Sequence, residues 1–407
     1  MTRTKNYTLC CLIPALLFAA LAAGAEQAKP VPQMNYGLVE ANNEFGFYLF
    51  YDRVVNRMFE NVLISPLSAA MALAMAENGA RGVTREAIST ALAQGELTLE
   101  QINMGSMALL DQTSTADPVV TLSIANSLWA GDPVGLRQEF VETCRQYYRA
   151  EVKQVEFGNP DAVKAVNDWV SSATQGLIRD IVTELSPDDV LLLANAVFFK
   201  GQWQTSFDAE LTEDRSFYGL DSTFQTPMMQ QAGEYRYLES QDGFQAVELP
   251  YGGGRFAMYV FLPDSALGML GFCDFLNAGN WADWVAGFFP ARGEVVLPRF
   301  TIECEETLNE ALVHLGMGVA FDPDKADFSV LADSTEQVYI SEVKHKAFVE
   351  VNEEGTQAAA ATSVVIEAKG PSRAPFRMVL DHPFFFAIRD NGTGSLLFLG
   401  AVYEPRP

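Results

Sequence analysis

Residues 349–375 read Val349-Glu-Val-Asn-Glu-Glu-Gly-Thr-Gln-Ala-Ala-Ala-Ala-Thr-Ser-Val-Val-Ile-Glu-Ala-Lys-Gly-Pro-Ser-Arg-Ala-Pro375, and this stretch decides the fold. Phe348 to Asn352 alternates as a strand does. Glu353-Glu354-Gly355 should end it, because glycine permits a hinge that residues with a β-carbon resist. Small residues follow, then Val364-Val365-Ile366, then an exposed tail punctuated by proline. Read at period two, one face carries Thr356, Ala358, Ala360, Thr362, Val364 and Ile366; the other carries Gln357, Ala359, Ala361, Ser363, Val365 and Glu367. The first face holds no charge and grows more apolar along its length, as a buried strand face does. A surface helix would suit Ala360 and Ala361, but Thr362 to Ile366 is β-branched at four of five positions and favours a strand. The segment therefore begins and ends like a loop yet carries a strand inside it. Small residues beside the hinge would let it slide between packed strands. Once inside, each net backbone hydrogen bond would add about 0.5–1.5 kcal/mol, and a dozen could drive a large irreversible rearrangement.

Outward from this stretch, the chain reads as α+β, with helices first and large sheets after. Asn42 to Arg57 carries Phe45, Tyr48, Leu49, Val54 and Val55 near helical spacing, and Ser68 to Asn78 is an Ala/Met/Leu helix ending before Gly79. Val190 to Phe199 is a nearly continuous apolar run, expected for a strand covered on both faces. Phe256–Leu262 and Leu396–Leu399 read as two further strands. Nothing in the chain repeats, and no Pro/Ser-rich linker divides it.

The first 25 residues differ in kind from the rest. Arg3 and Lys5 form a positive head, Leu12 to Ala23 an apolar stretch, and Ala23-Gly24-Ala25 a small-residue cleavage site. This is the layout of a secretory signal peptide over residues 1–25, with an apolar stretch too short to span a bilayer. The expected products are an exported protein, extracellular or periplasmic, and a single domain over residues 26–407. Cys10 and Cys11 leave with the signal, so Cys144, Cys273 and Cys304 remain, too few and wrongly spaced for a disulfide scaffold or zinc module. Removal of Arg3 and Lys5 takes the formal charge from −25 to −27. Such a surface repels nucleic acid and anionic membranes. Gly95 to Thr115 contains no lysine or arginine, which argues against a heparin-type polyanion cofactor.

No catalytic pattern emerges. The three histidines, His314, His345 and His382, accompany no GxSxG, HExxH, Walker A or GxGxxG motif. Ser341-Glu-Val-Lys344 matches an SxxK spacing, but its companion motifs are missing and its surroundings alternate like a strand. The many carboxylates single out no glycosidase-like pair and read as solvated surface. No metal or cofactor is implied.

Glu353-Glu-Gly-Thr-Gln-Ala-Ala-Ala-Ala361 resembles the proximal hinge of inhibitory serpins. The resemblance spans essentially the whole chain after the signal. Asn61–Ser68 looks like the start of that family's second helix, and Val166–Gly176 like its helix lying across the main sheet. Leu193–Trp203 is similar to its third central strand, and Met378–Ile388 to its C-terminal signature. The resemblance implies a serpin fold: helices packed on a large central sheet, further sheets, and an exposed reactive-centre loop over about 353–376. It implies that Ser65, Ser68, Asn195 and His345 form the polar cluster called the shutter, and that Trp203 sits at the breach where the loop first enters the sheet.

In that family the scissile bond lies fourteen residues beyond the hinge glycine, which from Gly355 reaches Lys369–Gly370. Arg373–Ala374 is the rival bond. A basic bait residue suits the acid-based pocket of trypsin-like serine proteases. The implied action is suicide inhibition. A protease acylates itself on Lys369, Gly355 hinges, and Thr356 onward inserts as a new strand. The protein itself would be no enzyme, and a monomer is expected. Two alternatives stay open from sequence: a non-inhibitory carrier, chaperone or storage role, and cross-class inhibition of cysteine proteases. Asn391-Gly-Thr393 is a glycosylation sequon whose use the sequence leaves open.

Overall fold

The computed structural model describes residues 34–114, 117–335, 337–355 and 374–406. The signal-like segment lies outside them. In chain order the strands are β1 (Val62–Ile64), β2 (Val120–Gly131), β3 (Glu151–Val155), β4 (Leu191–Gly201), β5 (Glu213–Tyr218), β6 (Thr223–Ser240), β7 (Phe244–Tyr251), β8 (Phe256–Pro263), β9 (Phe289–Pro298), β10 (Phe300–Thr307), β11 (Ile340–Val351), β12 (Phe376–Val379), β13 (Phe384–Asp390) and β14 (Leu396–Val402). The longer helices are α1 (Tyr36–Asn56), α2 (Pro66–Gly79), α3 (Gly82–Ala91), α4 (Leu99–Ser114), α5 (Gln138–Tyr148) and α6 (Pro160–Ala173), followed by α7 (Gly268–Cys273), α8 (Ala278–Gly287) and α9 (Asn309–His314). The expected α+β architecture is what forms.

Two sheets organise the molecule. A five-stranded sheet runs β10-β11-β4-β2-β3, and a nine-stranded one runs β1-β14-β13-β8-β7-β6-β9-β12 with β5 paired to β6. The apolar Val190–Phe199 run becomes β4, central in the smaller sheet and buried along nearly all its length. It is covered on both faces, which is why it lacks polar alternation. Behind it lies α2, whose small residues Ala69, Ala70, Ala72, Ala74 and Ala76 are all buried and allow close approach to β2, β4 and β14.

The opposite face is covered by α6. Ala162, Val166 and Val170 recur at helical spacing on its buried side and meet Trp129, Leu192, Ala194 and Ala196. Burying each valine contributes roughly 1.5–3 kcal/mol. The chain then doubles back under α6. Asn167 Oδ1 accepts from the Ile181 and Val182 amides at 2.9 and 3.2 Å, and its Nδ2 donates to the Val182 carbonyl at 2.8 Å. Ile178, Ile181, Val182 and Leu185 are thereby fixed in the same apolar cluster.

Some boundaries moved. The first helix starts at Tyr36, earlier than its apolar stripe suggests, because Asn35 caps it by accepting from the Leu38 amide. Tyr48 and Val55, expected in that stripe, are exposed. The buried side of the helix runs instead through Phe45, Leu49, Phe50 and Val54. Cys144, Cys273 and Cys304 are buried, separate free thiols.

One group carries an unexpected pH dependence. Glu77, in the last turn of α2, is buried beside Gln94 and Arg85, and its Oε2 has no partner. Burial raises its carboxyl to about 7 against the pull of Gln94 and Arg85. Between its unfolded value of 4.5 and about 7, the folded state keeps a proton that the unfolded state has lost. Stability should therefore fall as pH rises through that window, by up to about 3 kcal/mol. Glu77→Gln should abolish this difference when denaturant unfolding is compared at pH below and above the window. Equal pH dependence in the two proteins would refute the assignment.

Candidate functional site

The site is a seam between two strands and the turn at its end. β4 and β11 pair in parallel, with Leu193 opposite Val343, Asn195 opposite His345, Ala196 opposite Lys346 and Phe199 opposite Val349. Each has an antiparallel neighbour on its other side, β2 against β4 and β10 against β11. A strand pushed into this seam from the end of β11 would run antiparallel to both walls.

The chain makes that reversal at 352–355. Asn352 N donates to the Gly355 carbonyl at 3.0 Å, Gly355 N returns to the Asn352 carbonyl at 3.2 Å, and Glu354 N donates to Asn352 Oδ1 at 3.1 Å. Gly355 forms antiparallel bridges to Asn352 and to Gln202, so it already lies between the ends of the two strands. Only glycine fits. Its φ is +113°, and an added β-carbon would stand 2.1 Å from the Gly201 carbonyl oxygen and 2.6 Å from Trp203 N.

Trp203 and Glu353 anchor this turn. Trp203 N donates to the Glu354 carbonyl at 3.0 Å and its indole Nε1 to the Asn352 carbonyl at 2.9 Å. The ring stacks on Tyr251 at a centroid distance of 4.2 Å. Glu353 points the other way into the protein. Its Oε1 accepts from Arg299 Nη2 at 2.5 Å and from Thr212 Oγ1 at 2.6 Å, while Phe207 N donates to its carbonyl at 2.8 Å. Burial alone would raise the carboxyl, but the bonds from Arg299 and Thr212 outweigh it and hold the group below its usual range. Arg299 and Thr212 had no signal in the sequence, since both lie far from the hinge and neither belongs to a motif.

Halfway along the seam lies a buried polar clasp. Ser65 caps α2 and Ser68 follows one turn later, while Asn195 and His345 project inward from the centres of β4 and β11. Asn195 Nδ2 donates to Ser68 Oγ at 2.6 Å and to Asn126 Oδ1 at 2.7 Å. Ser65 N donates to His345 Nε2 at 3.1 Å, which leaves the ring proton on Nδ1, facing Asn195 Oδ1 at 2.6 Å. Burial pushes His345 down to about 4, so it is neutral at neutral pH. The Asn195–His345 bond crosses the seam. Asn126 joins this cluster from β2, a strand that the sequence reading did not resolve; a lone asparagine inside the apolar run Ile124–Trp129 was the available clue.

Of the residues expected to act, Ser65, Ser68, Asn195 and His345 come together, and Glu353, Glu354 and Gly355 meet Trp203. Thr356, Gln357, Ala358, Ala359, Ala360, Ala361, Lys369, Gly370 and the rival Arg373 lie outside the described residues. The SxxK decoy is resolved: Ser341 Oγ accepts from Val190 N at 2.8 Å, and Lys344 pairs with Glu342 and bonds to Thr307. His314 faces Asp52, and His382 faces Asp381 and the Pro263 carbonyl. Asn391 of the sequon turns its amide nitrogen to Glu248 and Gly254, and a glycan there would leave it one hydrogen to donate. Among the described residues no cluster of His, Cys, Asp and Glu could hold a metal ion, and no helix is long and apolar enough to cross a membrane.

A family model described as serpin (serine protease inhibitor) matches residues 40–405. The chain belongs to the serpin family, whose members are generally protease inhibitors rather than enzymes. It is 36% identical over 403 residues to an uncharacterized serpin-like protein of Thermococcus kodakarensis, covering 97% of this chain and 90% of that protein. It is 32% identical over 406 residues to plasminogen activator inhibitor 1 of Sus scrofa, covering 96% and 99%. Among solved structures it resembles the thermophilic serpin tengpin in its native state, with a TM-score of 0.84 and 31% identity over 91% of this chain and 95% of that one.

The Glu353–Arg299 pair should hold the hinge. A double-mutant cycle of Glu353→Ala and Arg299→Ala, read by denaturant midpoint, should give a coupling of about 1–3 kcal/mol. Additive losses would mean that the pair does not anchor the turn.

Proposed function

We propose that this chain is an inhibitory serpin that traps trypsin-like serine proteases at Lys369–Gly370. The carrying observation is a match of register and face. The bridge from Asn352 to Gly355, continued by alternation, sets residue 361 opposite Lys346; the bridge from Gln202 sets the same residue opposite Ala196. Lys346 and Ala196 are already partners across the seam. A strand formed by residues 356–367 would therefore enter without changing the register of either wall.

The faces agree as well. In this register Thr356, Ala358, Ala360, Thr362 and Val364 oppose Val351, Val349, Ala347, His345 and Val343, all buried. The charge-free face thus turns to the core, and Gln357 and Ser363 turn outward beside Glu350 and Lys344. Thr362 would arrive between Asn195 and His345, where its hydroxyl can replace part of the bond it separates. Val364 and Ile366 would gain roughly 1.5–3 kcal/mol each from burial.

Attack follows ordinary acyl chemistry. The protease serine oxygen bonds to the Lys369 carbonyl carbon, and the peptide bond to Gly370 breaks with its nitrogen leaving as the amine. The severed loop zips into the seam from Gly355 downward and carries the ester-linked protease with it, distorting its site before water completes hydrolysis. The name of the pig relative is that of an inhibitor, which supports this action. The lysine supports a trypsin-like target, because its ammonium suits an acid at the base of the pocket. Residues 1–25 support export to an extracellular or periplasmic space.

Incubation with trypsin should yield a complex that survives SDS, with a released C-terminal fragment beginning at Gly370. A fragment beginning at Ala374 would move the bait bond to Arg373, and cleavage without a complex would sink the inhibitory reading. Thr356→Arg should be cut but should not trap, since its guanidinium would have to be buried beside Val351.

A further inference from the structure

His345 and Lys346 are consecutive, so they point to opposite faces of the sheet. His345 belongs to the clasp on the inner face. Lys346 lies on the outer face, where only 5% of it is exposed. Its ammonium has three protons and meets three carboxylates: Asp180 Oδ1 at 2.9 Å, Glu303 Oε1 at 3.1 Å and Glu305 Oε2 at 3.1 Å. Glu303 and Glu305 stand on β10, the antiparallel neighbour of β11, with Glu305 directly opposite Lys346. These two contacts move with Lys346 whenever β10 and β11 move together.

Asp180 belongs to the other wall. It lies in the segment that doubles back under α6, beside Ile178, Ile181 and Val182, which are buried against Leu192, Ala194 and Ala196 of β4. Asn167 of α6 ties the backbone of this segment down at Ile181 and Val182. The Asp180–Lys346 contact therefore bridges the seam from outside. A strand inserted between β4 and β11 would part them by one further strand spacing, about 4.8 Å. A 2.9 Å ion pair cannot survive that while the segment stays packed on β4.

We propose that Asp180 and Lys346 form a releasable strap across the seam, and that its release limits how fast the loop inserts past residue 361. This rests on the insertion reading above. The composition of the cluster suits release. When Asp180 lets go, Lys346 keeps two carboxylates and is not left as an unpaired buried charge. The Asp180 side chain is 63% exposed, so water and salt can compete for it, and its replacement should leave the fold intact.

The test uses the full chain and two readouts. In the uncleaved protein, Asp180→Asn should speed amide hydrogen exchange in β4 and β11 about three- to tenfold, the range expected for one partly exposed charged bond. After cleavage of the loop, the rise in thermal stability should develop faster in Asp180→Asn by a similar factor. Added salt should speed the parent but not the variant. Glu184→Gln, which removes a carboxylate from the same segment, serves as the control for general charge effects. Equal exchange in parent and Asp180→Asn, or equal acceleration by Glu184→Gln, overturns the strap. If the cleaved parent gains no thermal stability, the insertion reading fails instead, and the exchange comparison still decides whether Asp180 ties the seam.

Discussion

The parallel pairing of β4 with β11 is the constraint on which the rest of the structure depends. Each wall of the seam is secured on its far side by an antiparallel partner, so the sheet can part along this line without unravelling. Parallel pairs are slightly weaker per residue than antiparallel ones. A third strand entering between them would run antiparallel to both, exchanging the weaker ladder for two stronger ones. In the proposed insertion that exchange would give the sheet a state of lower free energy.

Part of the fold was legible from sequence because a long unbroken apolar run needs cover on both faces. The apolar run at Val190–Phe199 announced a strand covered on both faces, and β4 is buried along nearly all its length. Gly355 was legible as the glycine that ends the strand, although its reason proved stronger than conformational freedom: a side chain would collide with the backbone of Gly201 and Trp203. Polar partners far apart in the chain were not legible. Arg299 and Thr212 reach Glu353 only because the sheets bring them there. Asn126 was hidden in a strand whose buried residues begin only partway along it. The Lys346 cluster was masked by composition, since in a chain with 52 acidic residues a few more carboxylates carry no signal.

The buried clasp gives the seam its uniqueness. Ser68, Asn126, Asn195 and His345 are removed from water, and each must be satisfied within the cluster or cost roughly 1–3 kcal/mol. An apolar seam of the same shape could slip by two residues and keep its faces, whereas Asn195 can meet the His345 ring in one register only. That register is also the one in which the Gly355 bridges from both walls converge. The polar groups thus fix the track that an incoming strand would follow.

The inner and outer ties stand at the same height. Asn195 bonds His345 on the core side, and Asp180 bonds the adjacent Lys346 on the α6 side. From Gly355 down to Ala347 an incoming strand would part the backbone ladder between the two walls, and the residues that would do so, Gln357 to Ala360, are mostly small. At the next step two polar bonds on opposite faces must break together, and there the incoming residues change from alanine to Thr362 and Ser363. In the proposed insertion a hydroxyl, that of Thr362, would arrive where the inner bond is lost, Ala361 would pass the outer one, and the β-branched run would follow once the seam is open. The order of residues in the loop would then suit the order of obstacles in the sheet: small side chains down to the outer tie at Lys346, a hydroxyl at the inner tie between Asn195 and His345, and large apolar ones beyond.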